Sequence, residues 1–166
     1  KFLLNSADYG VPQGRKRVIF LGVSNDIDKE KSDILFNNFP PKKTHSEKGD
    51  KNLKPYKTLR DTIYNLPEPE TEEGEKIPNH YGTKHKVKIN GYIGNRKLDW
   101  DKISPTIVGR GGGTGGAVIA VHPNCERRFT VRETARIQSF PDDFIFHGST
   151  GSQFRQIGNA IAVEFA

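Results

Sequence analysis

One cysteine, Cys125, occurs in 166 residues. A single thiol can build neither an internal disulfide framework nor a thiolate metal cluster, and it fits a reducing compartment. It lies in the polar stretch "HPNCERR", where no adjacent base supplies the activation a nucleophilic thiol needs. His122, three positions away, is too little for a metal site. Long apolar runs are also missing: none approaches the ~20 residues of a membrane span. No secretory signal is read at Lys1, so a cytoplasmic chain without membrane contact is expected. There is no internal repeat and no Gly-Lys-Ser/Thr triplet, which excludes a phosphate-binding P-loop. Gly111, Gly113 and Gly116 spell G-x-G-x-x-G, yet the strand-like "AVIAV" follows them and Arg136 stands where a dinucleotide site needs an acid. That match is rejected.

The charge is uneven. The net charge is +6, and the segment from Lys76 to Arg110 alone holds eight Lys/Arg against Asp99 and Asp101. A basic segment of this kind points to an acidic partner, nucleic acid being the commonest, with a solvated basic surface as the plain alternative. Only 33% of the chain is hydrophobic, so the core is modest.

Along the chain, "DYGVPQGRKRVIFLGVS" reads as a loop feeding a buried strand, with Arg15 and Arg17 at its mouth. From Asn25 onward, repeated prolines predict an irregular domain. Inside it, Leu59, Ile63 and Leu66 predict one short helix ended by Pro67, and the five glutamates of "EPETEEGE" predict a solvated loop. The glycine run after "SPTIV" predicts a flexible hairpin loop with Arg110 at its base. Thr130 and Glu133 form a capping box at a helix start. Arg132 and Arg136 then share a helix face and require an acceptor, either carboxylates and carbonyls of the protein or a phosphate. At the end, Gly158 and Asn159 read as a turn that caps a short helix, whose first amides could meet a ligand.

These pieces together resemble the DNA (cytosine-5) methyltransferases, specifically their C-terminal part. Asn5, Asp8, Tyr9, Gly10, Pro12, Gln13, Arg15 and Arg17 resemble the family's eighth motif, with its Gln-x-Arg-x-Arg core. Residues Arg128 to Phe144 are similar to the ninth motif, and "QIGNAIA" from Gln156 resembles the tenth. The resemblance covers nearly the whole chain and implies an α/β architecture. Residues 1–24 and 148–166 would belong to a Rossmann-like, S-adenosylmethionine-dependent domain. An irregular, mainly β target recognition domain, residues 25–147, would carry the ninth motif.

The resemblance further implies that Arg17 approaches the carbonyl oxygen of a cytosine flipped out of double-stranded DNA, with Arg15 and Gln13 supporting the same pocket or neighbouring backbone. Thr106 would contact a phosphate, and Arg110, Gly111, Gly112 and Gly113 would read base edges. Arg132, Glu133 and Arg136 would brace the recognition domain. Asn159 and Ala160 would border the S-adenosylmethionine pocket, and no metal is implied. The family's Pro-Cys nucleophile is absent from the 166 residues, so the chain alone is expected to transfer no methyl groups. It would be completed by an N-terminal catalytic region or a complementing subunit; the alternative is a DNA-binding module without catalysis. An exposed sheet edge makes dimerisation a further expectation. Bacterial or phage origin and pairing with a restriction enzyme follow from the resemblance alone.

Overall fold

The computed structural model describes residues 1–50, 52–81, 87, 89–90, 95–109 and 120–166. The chain opens with two short strands, β1 (Phe2–Asn5) and β2 (Lys16–Ile19), paired antiparallel with Leu3 opposite Val18 and Leu4 opposite Arg17. Between them, Ser6–Tyr9 make one 3-10 turn that ends at Gly10 with φ of +95°. Glycine is needed there for that angle, and a Cβ would also stand 2.9 Å from the His45 ring. The turn is tied down by Asp8, whose carboxylate accepts from the Tyr56 hydroxyl at 2.5 Å and pairs with Lys43 at 2.8 Å. The hydrogen bond to Asp8, then burial, pushes the Tyr56 phenol up to about 12.

The expected buried strand is not found. Leu3, Val18 and Phe20 are 67%, 46% and 75% exposed. A two-stranded ribbon has two faces, and here the Leu3–Val18–Phe20 face is left to solvent because no described element covers it. The other face holds Leu4, which is buried.

Helix α1 (Lys29–Asn37) starts at Asp28, whose side chain accepts from the Glu30 amide, and buries none of its residues. Strands β3 (His45–Ser46) and β4 (Lys54–Pro55) pair in parallel. Helix α2 (Leu59–Ile63) is set by a Thr58–Asp61 capping box and buries Leu59 and Ile63. It stops short of Leu66, which nonetheless packs on the core. The glutamate run is a one-turn helix rather than a loop: α3 (Glu72–Glu75) is capped by the Thr71 hydroxyl, and Gly74 lets it close onto the Glu68 carbonyl.

The centre of the molecule is α4 (Val131–Ile137), opened by the expected Thr130–Glu133 capping box and buried at every position except Arg136. It packs on α2 and on α5 (Thr150–Asn159). The core consists of Leu59 and Ile63 of α2, Val131, Ala135 and Ile137 of α4, and Phe154 and Ile157 of α5, joined by Leu98, Ile107, Phe129 and Phe146. Phe129, Ile137 and Ile157 have no exposed surface, and burial of each such side chain is worth about 2 kcal/mol. Phe140, Phe144 and Phe146 form an aromatic triangle with centroids 4.8 to 5.1 Å apart.

The chain is thus mixed helix and sheet, but the middle segment departs from the mainly β expectation. Among the described residues 25–147, the strands are two residues each, while the core is helical. The prolines there interrupt strands as effectively as they interrupt helices. Among the described residues, no helix is long and apolar enough to cross a membrane.

Candidate functional site

Three remote segments meet behind β2. Residues 12–15 run beside residues 104–107 as parallel extended chains: the Ser104 amide donates to the Pro12 carbonyl and the Gly14 amide to the Ser104 carbonyl, both at 2.9 Å. The Thr106 hydroxyl adds a 2.7 Å bond to the Gly14 carbonyl. Thr106, the expected phosphate contact, is exposed, but its single hydroxyl proton is given to Gly14, so it can donate to a phosphate only by turning away from that carbonyl.

Gln13, fully buried, carries its amide across this junction. Its Oε1 accepts from the Ile107 amide at 2.8 Å, and its Nε2 donates to Gln138 Oε1 at 2.9 Å. Gln138 Nε2 then donates to the Ile157 carbonyl at 2.9 Å. Both ends of this relay are backbone groups of fixed polarity, a donor at Ile107 and an acceptor at Ile157, so each side-chain amide fits in one orientation only.

Arg15 spans the same gap from the side. Nη1 donates to the Ile107 carbonyl at 2.8 Å and Nη2 to the Gly158 carbonyl at 3.2 Å. Burial, then the charge of Arg17, lowers its pKa, although a guanidinium stays charged throughout the accessible range. Arg17 lies two residues on, within β2. It is exposed, and Nη1 donates only to the neighbouring Lys16 carbonyl. A cavity of about 230 Å³ opens between Arg15, Arg17 and Ile19 on one side and Asn159, Ala160 and Ile161 on the other. The heads of Gln13 and Arg15 are therefore engaged by groups of the protein, and Arg17 is the arginine whose head is available to that cavity.

The tenth-motif residues differ from expectation. Gly158 and Asn159 end a helix instead of starting one: α5 is capped by Ser149, whose hydroxyl accepts from the Ser152 amide, and the chain leaves it extended at Ala160. Ser149 supplies the cap side chain, and the apolar face of Phe154 and Ile157 lies upstream of Gly158. The amides expected to meet a ligand are thus inside the helix, and the negative end of its dipole faces the site. A Cβ on Gly158 would stand 2.3 Å from the Gly109 nitrogen, and one on Gly109 would stand 2.4 Å from Asn159 Oδ1. The two glycines let the chain at 108–109 lie directly on the helix end.

Around α4, Arg132 donates to the carbonyls of Pro78, Pro141 and Phe144 at 2.8 to 3.0 Å. Arg136 forks onto Asp142 and also reaches Asn65 Oδ1 and the Thr62 carbonyl. Glu133 caps Thr130 and accepts a two-pronged bond from Arg127, both prongs at 2.9 Å; Arg127 Nε binds Glu68 at 2.7 Å. His80 Nε2 faces the Pro67 carbonyl, which can only accept, so Nε2 carries the proton and Nδ1 accepts from the Thr130 hydroxyl. The acceptors of both arginines are thus groups of the protein itself.

Arg110, Gly111, Gly112 and Gly113 lie outside the described residues. Sequence reading missed Gln138, Gly109 and Arg127. Gln138 did carry a signal: with Val131 and Ala135 it completes an i, i+4, i+7 stripe, and an amide on an apolar stripe implies a buried partner. Among the described residues, no group of three or more His, Cys, Asp or Glu could hold a metal ion.

The model of the family described as C-5 cytosine-specific DNA methylase matches residues 2–166. The chain belongs to this family. It is 36% identical to the Type II methyltransferase M.NgoFVII of Neisseria gonorrhoeae over 95% of its own length and 44% of the relative's. It is 39% identical to M.BsuRI of Bacillus subtilis over 99% of the chain and 39% of that protein. With M.MthTI of Methanothermobacter thermautotrophicus the figures are 33%, 99% and 52%. The chain therefore spans about half or less of the length of these relatives. In fold it is similar to a crystal structure of an E. coli prophage-encoded protein assigned as a DNA modification methyltransferase. The TM-score is 0.63 at 23% identity, covering 99% of this chain and 56% of that one.

Proposed function

We propose that this chain forms the target-recognition and pocket-closing part of a DNA cytosine-5 methyltransferase of a Type II restriction–modification system. The single observation that carries the reading is the cavity with Arg17 on one wall and Asn159 and Ala160 on the other, backed by the Gln13–Gln138 and Arg15 bonds. Arg17 donates to the carbonyl oxygen of the flipped cytosine and stabilises the negative charge that develops as a nucleophile adds to the ring. Its rigid fork suits that role better than an ammonium would. Arg15, held between the Ile107 and Gly158 carbonyls, positions the wall from which Arg17 projects. Thr106 contacts a DNA phosphate by turning its hydroxyl from the Gly14 carbonyl to the phosphate oxygen, and Arg110 to Gly113 read base edges.

S-adenosylmethionine, when bound, supplies the electrophilic methyl group. The residues present fit one side of that group: Asn159 offers an exposed amide, and Ile161 and Phe165 offer apolar surface at the same cavity. The cysteine nucleophile comes from chain outside these 166 residues, joined to it or supplied by a complementing subunit. The exposed Leu3–Val18–Phe20 face is the surface on which that part packs.

The test is reconstitution. The 166-residue chain alone transfers no radiolabelled methyl group from S-adenosylmethionine to duplex DNA, and adding the segment with the Pro-Cys nucleophile restores transfer to cytosine C5. Methylation by the chain alone would overturn the reading, as would an inactive reconstituted protein that still binds DNA in a salt-dependent way; that outcome favours the binding module.

A further inference from the structure

We infer that Gln138 is a positioning residue for the target pocket: through the Gln13 amide it fixes where the recognition segment sits at Ile107. This rests on the function proposed above, since it assigns a way in which that pocket is held in shape.

The reasoning starts from what each alternative support can do. The recognition segment at 104–107 touches the pocket wall through backbone bonds to residues 12–14, and these would survive a small slide or hinge at Ile107 because they lie on one side of it. At Ile107 itself the polar support comes from side chains, Gln13 holding its amide and Arg15 its carbonyl, and beyond it Gly109 packs on Gly158 without a hydrogen bond. Arg15 is a long, flexible side chain of intermediate exposure, whereas Gln13 is fully enclosed. The Gln13 side-chain amide is in turn held by one partner besides Ile107, the Gln138 side chain, and the Gln138 amide is held by the Ile157 carbonyl at the end of α5.

The relay thus joins the residue next to the arginine pair, the recognition segment, the end of the buried helix α4 and the helix that leads to Asn159. Its polarity makes it cooperative, because turning either amide over breaks two bonds at once. The Gln138 backbone adds a fifth connection, since its carbonyl accepts from the Val163 amide at 3.1 Å beside the cavity wall. Gln138 does not line the cavity; it reaches the recognition segment through Gln13 and the opposite wall through its bonds to Ile157 and Val163.

The experiment is a double-mutant cycle with Gln13→Met and Gln138→Met in the methyltransferase that contains this chain. Hydrogen exchange is followed at the Ile107 amide, with the α2 amide of Ile63 as the control for global folding. The KM for DNA and the fluorescence of a 2-aminopurine placed at the target base are read alongside. In Q138M the Ile107 amide exchanges at least tenfold faster while Ile63 stays within twofold of wild type; the KM for DNA rises and the flipping signal falls. In the Q13M background, the same change at 138 adds less than twofold. An unchanged Ile107 rate in Q138M, or equal effects in both backgrounds, overturns the inference. Should Q138M fail to fold, Gln138→Glu in its neutral form keeps the acceptor for Gln13 and a hydroxyl donor for Ile157, a buried carboxyl without a cationic partner being held neutral. Ile107 then stays protected within twofold, and a tenfold loss there overturns the relay. The exchange measurement does not depend on methyl transfer, so an inactive wild-type protein would count against the proposed function while the relay is judged on its own readout.

Discussion

The backbones of Gly109 and Gly158 touch: a Cβ on Gly158 would lie 2.3 Å from the Gly109 nitrogen and 2.5 Å from its Cα. Two opposing effects decide what alanine does at 158. Within a helix, alanine is favoured over glycine by about 1 kcal/mol. Against that, the neighbour is backbone and cannot rotate away, and such overpacking costs typically 1–3 kcal/mol or more. The clash wins, so Gly158→Ala lowers the unfolding free energy measured in urea. Gly109→Ala meets the end of the Asn159 side chain, which can swing aside, and costs less. Gly22, with nothing within 4 Å, is the neutral control. A Gly158→Ala protein as stable as wild type would disprove the contact.

Arg15, just before β2, and Arg17 within it separate in their dependence on the fold. Arg15 supplies two carbonyls, so Arg15→Met leaves both without that partner, at about 1–3 kcal/mol for each one that water cannot reach. Arg17 bonds only its own neighbour's carbonyl at the surface, and Arg17→Lys changes stability by less than about 0.5 kcal/mol. In the assembled methyltransferase, Arg17→Met, which removes both charge and donor, lowers kcat by roughly 10²–10³, as removal of a charge-stabilising donor does elsewhere. Normal turnover by that variant would remove Arg17 from the pocket.

How much of this was legible beforehand differs from element to element. The capping box at Thr130 and the apolar pattern around it located α4, because caps and helix periodicity are local signals. The helix ending at Asn159 was displaced by one element, since "GNA" carries cap-like residues and the true cap, Ser149, lies ten positions upstream. The exposure of β2 was invisible because an apolar run reports a preference for burial, not the presence of a cover. The arginine pair was legible as two guanidiniums at a strand mouth, and the resemblance gave Arg15 a supporting role, but the residues alone did not show which carbonyls it holds. Those are the carbonyls of Ile107 and Gly158, more than 90 residues away in sequence.

Acid should weaken the fold before its carboxylates titrate. His122 lies between the rings of Trp100 and Phe129, with its Nε2 3.6 Å from Glu133. Burial lowers its pKa most; Glu133 opposes that, and Arg127 reinforces it. His45 is also lowered, by burial and then by Lys57 and Lys54. A histidine whose folded pKa is depressed takes up its proton first in the unfolded chain, so stability falls as pH drops below about 6.5. Each such histidine contributes a slope of at most about 1.4 kcal/mol per pH unit. The depressed carboxylates, Asp61 and Asp142 among them, are held down by hydrogen bonds from Thr58 and Arg136 and add their loss only below about pH 4. Urea midpoints between pH 7.5 and 5 therefore fall for the wild type, and His122→Gln reduces the slope. An unchanged slope in that variant would exclude His122 as the sensor.

Arg132 and Arg136 are one turn apart but differ in what their loss exposes. Arg132 is fully buried and satisfies three carbonyls without any carboxylate partner, so Arg132→Met strands Pro78, Pro141 and Phe144 at about 1–3 kcal/mol each where water cannot replace it. Arg136 pairs with the half-exposed Asp142, and ion pairs of that kind contribute about 1 kcal/mol or less. Arg132→Met is expected to unfold at much lower urea than Arg136→Met, and Arg132→Lys recovers little because an ammonium cannot span three carbonyls. Equal losses in the two methionine variants would contradict the assignment of Arg132 as the buried clasp between α4 and the Phe144 turn.

Cys125 supplies the last check, because it is the only thiol in the sequence. Its Sγ donates weakly to the Pro123 carbonyl at 3.5 Å, in a turn closed by the Cys125 amide on the His122 carbonyl at 2.8 Å. Neither bond activates a thiolate, which needs a neighbouring base or cation directed at sulfur. Cys125→Ser preserves the turn, and methyl transfer by the reconstituted protein stays within about twofold of wild type, an effect of less than about 0.5 kcal/mol. A thiol-alkylating reagent still inactivates that variant, since the nucleophile it attacks lies in the added segment. Loss of activity in Cys125→Ser with the fold intact would place the nucleophile inside these 166 residues and overturn the division of labour proposed here.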